Sequence, residues 1–203
     1  MAHNAKREEL VAEDDEFCHE CASRGYTDLM VWAHERGCSW NATSCSEAAA
    51  GGHLQTLQCL KLFGCPWNES TCSGAAQGGH LNVLQWAKAN GCPWDGLVCV
   101  YAAKAGHLEV LQWATSNNCR GDQWVCFHAA AGGHLKVLEW ARAIGLPWDE
   151  RTCASAAKGG HLEVLQWVRS NGCPWDEYTC ASAAMGGHLS VLQWARSNGC
   201  PWG

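Results

Sequence analysis

Apolar and polar positions follow a helical period in residues 149–175, and this pattern predicts two short helices. The first segment has a narrow face of small residues, formed by Cys153, Ala156 and Ala157. Asp149 is suited to cap its start, and Gly159 and Gly160 to end it, because glycine enters the left-handed conformation at little cost. Larger apolar residues supply the buried side of the second segment, namely Leu162, Val164, Leu165, Trp167 and Val168. Gly172 and Pro174 end that second helix.

This two-helix pattern recurs with a step of 27 residues. The seven copies span residues 14–40, 41–67, 68–94, 95–121, 122–148, 149–175 and 176–202. Helices of about nine or ten residues are too short to persist alone in water, so each copy must stack on its neighbours. A fixed period between 20 and 50 residues is typical of stacked-repeat proteins. We therefore expect a single all-α solenoid domain over residues 14–203, preceded by an N-terminal extension or cap at 1–13.

The repeat resembles the ankyrin repeat. Ala156-Ala157 matches the paired alanines of that family, and residues 160–164, Gly-His-Leu-Glu-Val, match its central motif. The resemblance covers residues 14–202 and is closest to shortened, Trp- and Cys-rich repeats of large DNA viruses and protists. Ankyrin repeats have about 33 residues. The loss here lies between Asp176 and Thr179, so we expect the β-hairpin fingers to be reduced or absent. The resemblance implies a protein–protein interaction scaffold or adaptor, and not an enzyme.

The face of the first helices that varies between repeats is the predicted binding surface. The third, sixth, seventh and tenth positions vary, and these offsets share one side of a helix. Most repeats place small or polar residues there, whereas the fourth and fifth place apolar and aromatic ones, as a binding hot spot would. The candidate partner-binding residues are Leu97, Val100, Tyr101, Lys104, Trp124, Phe127, His128 and Arg151. The alternative is that these side chains fold over an irregular turn. Arg120-Gly121 replaces the usual Pro-Trp, and Trp124 would then fill the gap.

The chain contains 15 cysteines, and one of them holds the fifth position of every repeat. Equivalent atoms of successive repeats are about 8–10 Å apart, too far for a disulfide or a shared zinc ion. We therefore expect buried thiols that behave as small hydrophobic groups, with no metal and no cofactor. Pairs seven residues apart, such as Cys65 with Cys72 and Cys173 with Cys180, stay open. A thiol-based metal-binding protein is accordingly the least favoured alternative. The recurrent histidines, beginning at His53, are expected to open the second helices and to bond locally to the backbone or to neighbouring turns.

Charge and hydropathy limit the classes of partner. The formal net charge of −6 argues against nucleic acid and anionic membranes. No apolar run approaches the roughly 20 residues of a transmembrane helix, and the N-terminus lacks the apolar core of a signal peptide. These features favour an intracellular, cytoplasmic protein, in the host cytoplasm if it is viral, whose partner is another protein. The alternative is a spacer segment of a longer repeat protein. The seventh repeat keeps apolar residues without a polar cap, which predicts self-association there.

Overall fold

The computed structural model describes residues 15–119 and 121–202, which form fourteen helices in seven pairs and contain no strand. The first helices of the pairs are α1 (Asp15–Ser23), α3 (Ala42–Ala50), α5 (Glu69–Gly78), α7 (Leu97–Ala105), α9 (Gln123–Ala131), α11 (Glu150–Gly159) and α13 (Glu177–Met185). The second helices are α2 (Thr27–His34), α4 (Leu54–Leu62), α6 (Leu81–Ala89), α8 (Leu108–Ser116), α10 (Leu135–Ala143), α12 (Leu162–Ser170) and α14 (Leu189–Ser197). The predicted extension at 1–13 lies outside the described residues.

The chain divides into two compact units, Met1–Val98 and Cys99–Gly203, with the division inside α7. In the first unit, α1, α3 and α5 pack side by side, and each also packs against the second helix of its own repeat. In the second unit, α9, α11 and α13 pack in the same way. The prediction of one continuous domain over 14–203 therefore stays a prediction.

The core of each unit combines small residues from the first helices with leucines from the second. Cys45, Ala48 and Ala49 of α3 are fully buried, and small side chains there let neighbouring helices approach closely. One fully buried leucine recurs on the second helices, at Leu57, Leu84, Leu111, Leu138 and Leu165. A tryptophan recurs on the second helices; it is half-buried at most sites, and Trp32 is exposed.

Side chains cap the first helices as the sequence predicts. The Asp149 carboxylate accepts a hydrogen bond of 3.1 Å from the Arg151 backbone N–H, and Asn41 accepts one of 2.8 Å from Thr43. These bonds satisfy backbone donors that have no partner inside the helix.

A histidine stands ahead of every second helix except α2, and several of these histidines link neighbouring repeats. The Nε2–H group of His53 donates to the Ser23 carbonyl at 2.9 Å, and His161 donates to Ala131 at 3.0 Å. The imidazole also fills the space beside two glycines. A Cβ atom at Gly51 would lie 2.6 Å from Cδ2 of His53, and one at Gly25 would lie 2.5 Å from its Nδ1. The Gly-Gly-His motif is therefore a packing unit between repeats.

The connections between repeats contain no strand within the described residues. Residues 171–176, between α12 and α13, run as an irregular segment that leads directly into the next cap. This confirms the expectation that the β-hairpin fingers are absent. None of the described helices has the length and apolarity needed to cross a membrane.

Candidate partner-binding surface

An aromatic cluster on α9 forms the centre of the candidate surface. The Trp124 ring lies edge-on to Phe127, with centroids 5.4 Å apart, and Phe127 lies edge-on to His128 at 5.0 Å. Trp124 remains 38% exposed, whereas Phe127 and His128 are half-buried. Edge-to-face packing of this kind holds rings in fixed relative positions. The cluster therefore presents one indole to solvent on a supported base.

A guanidinium group covers part of the exposed indole. The Arg151 Cζ atom, from α11, lies 4.9 Å from the centre of the Trp124 ring. Arg151 is held there by the Asp149 carboxylate, with Nε and Oδ2 2.9 Å apart. This hydrogen bond holds the pKa of Asp149 below its usual value. The arrangement places a planar cation beside an exposed aromatic ring, a combination that is enriched at protein interfaces.

The α7 members of the surface differ in their exposure. Lys104 is exposed, while Val100 and Tyr101 are half-buried, so both also contribute to packing. Leu97 is 46% exposed and belongs to the Met1–Val98 unit. Burial, together with the charge of Lys104, lowers the pKa of His128. His128 therefore favours its neutral form when the protein is folded.

Trp124 does not occupy the gap that the sequence leaves near Gly121. Its ring contacts Phe127, His128 and Arg151. The space beside Gly121 is met instead by Leu146 and Val125, each with a side-chain atom 3.2 Å from where a Gly121 Cβ atom would stand. The gap-filling explanation of Trp124 is therefore wrong, and its exposure needs another explanation.

A pocket of about 560 Å³ beside Gly121 was not anticipated from the sequence. In the second, fifth and sixth repeats the Trp of the Pro-Trp pair packs edge-on against the next repeat, as Trp175 does against Trp194 at 5.9 Å, with Arg169 stacked over Trp175 at 4.1 Å. In the fourth repeat Gly121 replaces this tryptophan, and Thr115 stands at the position of the cation. The pocket opens next to Trp140 as a result. Gly121 in place of the tryptophan and Thr115 in place of the cation are the sequence features from which the pocket could have been predicted.

The seventh repeat exposes a second apolar surface, which was also not predicted when the repeats were compared with one another. Tyr178 and Met185 are 66% and 71% exposed, at the third and tenth positions of their repeat. Tyr178, Ala181 and Trp202 line a groove of about 370 Å³. Trp202 is 59% exposed, whereas Val191 is fully buried. Self-association through this repeat stays a prediction.

The cysteines pair in a way that the sequence did not indicate. The structure brings together thiols twenty residues apart within one repeat, such as Cys99 and Cys119, with their Sγ atoms at 2.9 Å. In one pair seven apart that was left open, the Cys65 thiol donates to the Asn41 carbonyl at 3.2 Å, and the pKa values of Cys65 and Cys72 are shifted by Cys45 and Cys92 of their own repeats. Among the described residues, no group of three or more His, Cys, Asp and Glu side chains is placed to hold a metal ion.

Comparison with known proteins shows the fold. No protein-family model and no curated protein sequence matches the chain. Among solved structures, the ankyrin repeat domain of human ASB11 is similar, with a TM-score of 0.66 and 18% sequence identity. The similarity covers 92% of this chain and 99% of that domain. The predicted all-α, ankyrin-like class is thereby confirmed. The function has to be argued from the surface itself.

Proposed function

We propose that this chain, which has the ankyrin-repeat fold, is a non-enzymatic scaffold or adaptor that binds a protein partner through the variable face of its first helices. The observation that carries the proposal is Trp124, an indole left 38% exposed on an aromatic base and flanked by Arg151. Trp and Arg are over-represented among residues whose truncation weakens protein complexes most. We propose the cytoplasm as the setting, where thiols are kept reduced.

The chemistry of the surface favours a particular kind of partner segment. The exposed ring of Trp124 offers apolar contact area, and exposed Arg151 beside it and exposed Lys104 near His128 add positive charge. The whole chain is acidic, with a formal net charge of −6, so this local basic character stands out. We infer a partner segment that combines an apolar or aromatic side chain with carboxylates.

Trp124 is presented from a rigid base. Its helix α9 is capped by Asp122, whose side chain accepts from the Trp124 backbone N–H at 2.9 Å. The adjacent repeats are linked by the His134 and His161 bonds to the carbonyls of Lys104 and Ala131. A surface held in this way changes shape little on binding, so little affinity is lost to ordering.

The test is the variant Trp124→Ser, with Tyr178→Ser as its matched control. Both substitutions remove an exposed aromatic ring from the third position of a repeat, and Tyr178 is the more exposed of the two. Partners are captured from a lysate on the wild type and then titrated in purified form against each folded variant. We expect Trp124→Ser to weaken the complex by about 30-fold or more, the range of a hot-spot residue. Tyr178→Ser should leave the affinity unchanged.

Three outcomes contradict the proposal. If Trp124→Ser unfolds the protein, seen as loss of helical circular dichroism, the ring belongs to the core. If the two variants bind equally well, the partner uses another surface. If the wild type retains no protein, the spacer alternative is favoured over the adaptor.

A further inference from the structure

Six of the seven repeats carry a second cysteine at the twenty-fifth position, twenty residues after the one at the fifth. The pairs are Cys18/Cys38, Cys45/Cys65, Cys72/Cys92, Cys99/Cys119, Cys153/Cys173 and Cys180/Cys200. The fifth repeat differs, because Leu146 stands opposite Cys126. All of these cysteines are buried. The pattern is therefore a set of matched thiol pairs, each within a single repeat.

The two cysteines of a pair are brought together within their own repeat. Cys18 and Cys38 are joined by a disulfide, and their Cα atoms are 6.6 Å apart, within the range that a disulfide spans. In the fourth repeat, the Cys99 thiol donates to the Cys119 sulfur at 2.9 Å. In the second, third and sixth repeats the partner thiol, together with burial, raises the pKa of the cysteine at the fifth position, and in the seventh repeat burial and the partner thiol raise the pKa of Cys200. Partner cysteines therefore interact within every repeat that has both of them.

We infer that these six pairs are reversible dithiol–disulfide sites, each oxidised by hydrogen peroxide within its own repeat. One thiolate attacks peroxide, so that an S–O bond forms, the O–O bond breaks and one water leaves after protonation. The partner sulfur then attacks the sulfenic acid. The S–S bond forms, the S–O bond breaks, and a second water leaves. Two thiols lose two hydrogens and two electrons, and one peroxide becomes two waters.

The two cysteines of a pair are chemically unequal. The hydrogen bond from Cys45 lowers the pKa of Cys65, and the bond from Cys72 lowers the pKa of Cys92. The pKa values of Cys45 and Cys72 are raised by the same bonds and by burial. The thiolate is the reactive form, so in the second and third repeats the cysteine at the twenty-fifth position attacks peroxide and the one at the fifth position resolves the sulfenic acid. In the seventh repeat, burial and the bond to Cys180 instead raise the pKa of Cys200, so this order of attack is assigned to the second and third repeats only.

Oxidation would couple the redox state to the rigidity of the scaffold. Each disulfide ties the first helix of a repeat to the segment that follows its second helix, and so closes that repeat on itself. Such a bond restricts the unfolded chain and stabilises the folded repeat. Peroxide would thereby make the array more resistant to local opening.

Three cysteines provide internal controls. Cys126 is buried opposite Leu146, and burial raises its pKa to about 11. Cys21 and Cys59 lie outside the paired positions. None of the three has a thiol partner at the other position of its repeat. They should therefore remain reduced while the twelve paired cysteines oxidise.

The experiment treats reduced wild-type protein with hydrogen peroxide, then denatures it and alkylates the remaining thiols. Full reaction should lower the intact mass by about 12 Da before alkylation, since each disulfide removes two hydrogens of about 1 Da. Peptide mapping should show the six pairs joined, and Cys21, Cys59 and Cys126 alkylated. Dithiothreitol should restore every thiol, and the oxidised form should have the higher Tm.

Two variants test the pairing by removing a cysteine from one repeat and adding a cysteine to another. Cys92→Leu copies the fifth repeat, so it should fold and leave Cys72 alkylated after peroxide. Leu146→Cys creates a seventh pair, and it should protect Cys126. Circular dichroism checks that both variants are folded. The inference is wrong if the paired thiols stay reduced, if Cys126 of the wild type reacts as fast as they do, or if the bonds join other cysteines.

Discussion

Some residues of the aromatic surface both line it and contribute to the packing beneath it. Trp124 is exposed, but Phe127 beside it and Tyr101 on α7 are half-buried, so they support the surface as well as belonging to it. The sequence could place them on the same variable face of their two helices, because that follows from their positions in the repeat. Their depth depends on neighbouring helices and on the position of Arg151, which spacing along one helix does not determine.

His128 gives a prediction at this scale. Burial and the nearby Lys104 lower its pKa below the ordinary value of 6.5, so the unfolded chain binds the proton more readily than the folded one. Stability from this group is therefore complete above about pH 6.5 and is lost as the pH falls through the lower folded pKa. We expect His128→Gln to show a smaller loss of unfolding free energy between pH 7.5 and pH 5 than the wild type.

The measurement is urea unfolding of both proteins at the two pH values. An NMR titration of the His128 ring in the wild type reports its pKa directly, and in Lys104→Met that pKa should rise part of the way towards 6.5. A wild-type pKa at or above the ordinary value would contradict the structural environment described for this ring.

At the scale of helices and turns, two kinds of glycine can be separated. Gly132 is a packing glycine, because a Cβ atom there would lie 2.5 Å from Nε2 of His134 and 2.7 Å from the Lys104 carbonyl oxygen. Gly145 is a conformational glycine, with φ of +80° and open space around it. In the fourth repeat Asn118 adopts φ of +67° at the position equivalent to Gly145.

The two glycines should respond differently to substitution. We expect Gly132→Ala to lower the free energy of unfolding by about 2 kcal/mol or more, because a backbone oxygen and a packed ring must move. Gly145→Asn should cost less than about 1 kcal/mol, since asparagine tolerates the left-handed conformation. Urea unfolding of the two variants tests this order. Equal losses would mean that the imidazole yields easily and that the Gly-Gly-His motif is not a tight packing unit.

At the scale of the whole molecule, the regular parts were predictable and the exceptions were not. The period, the caps and the short turns follow from local rules. Asp149, as a helix cap, and Gly160, as a helix end, are examples. The thiol pairs were not predicted because they join distant parts of a repeat: Cys38 follows the second helix, whereas Cys18 lies on the first. That contact depends on how the helix pair closes. The pocket beside Gly121 was missed because it requires the loss of both a tryptophan and its cation, at Gly121 and Thr115.

Repetition also predicts which deletions the chain tolerates. Removing residues 41–67 takes out one whole repeat and brings the first repeat against the third in the register that neighbours normally use. We expect this variant to keep cooperative unfolding and helical circular dichroism in proportion to its length, because each repeat contacts only its neighbours. Removing residues 41–60 breaks the period and serves as the control. If both deletions unfold alike, the repeats are not interchangeable.

The histidine bond between repeats has a consequence for how such a gene can change. The bond links positions thirty residues apart, as from His53 to Ser23, and it forms again at His134 and His161. Unequal crossing-over between similar stretches of DNA adds or removes whole 27-codon repeats. Because the period is kept, each new junction again places a histidine next to a backbone carbonyl of the preceding repeat. Such a gene can lengthen or shorten in one recombination event without first passing through a misfolded protein.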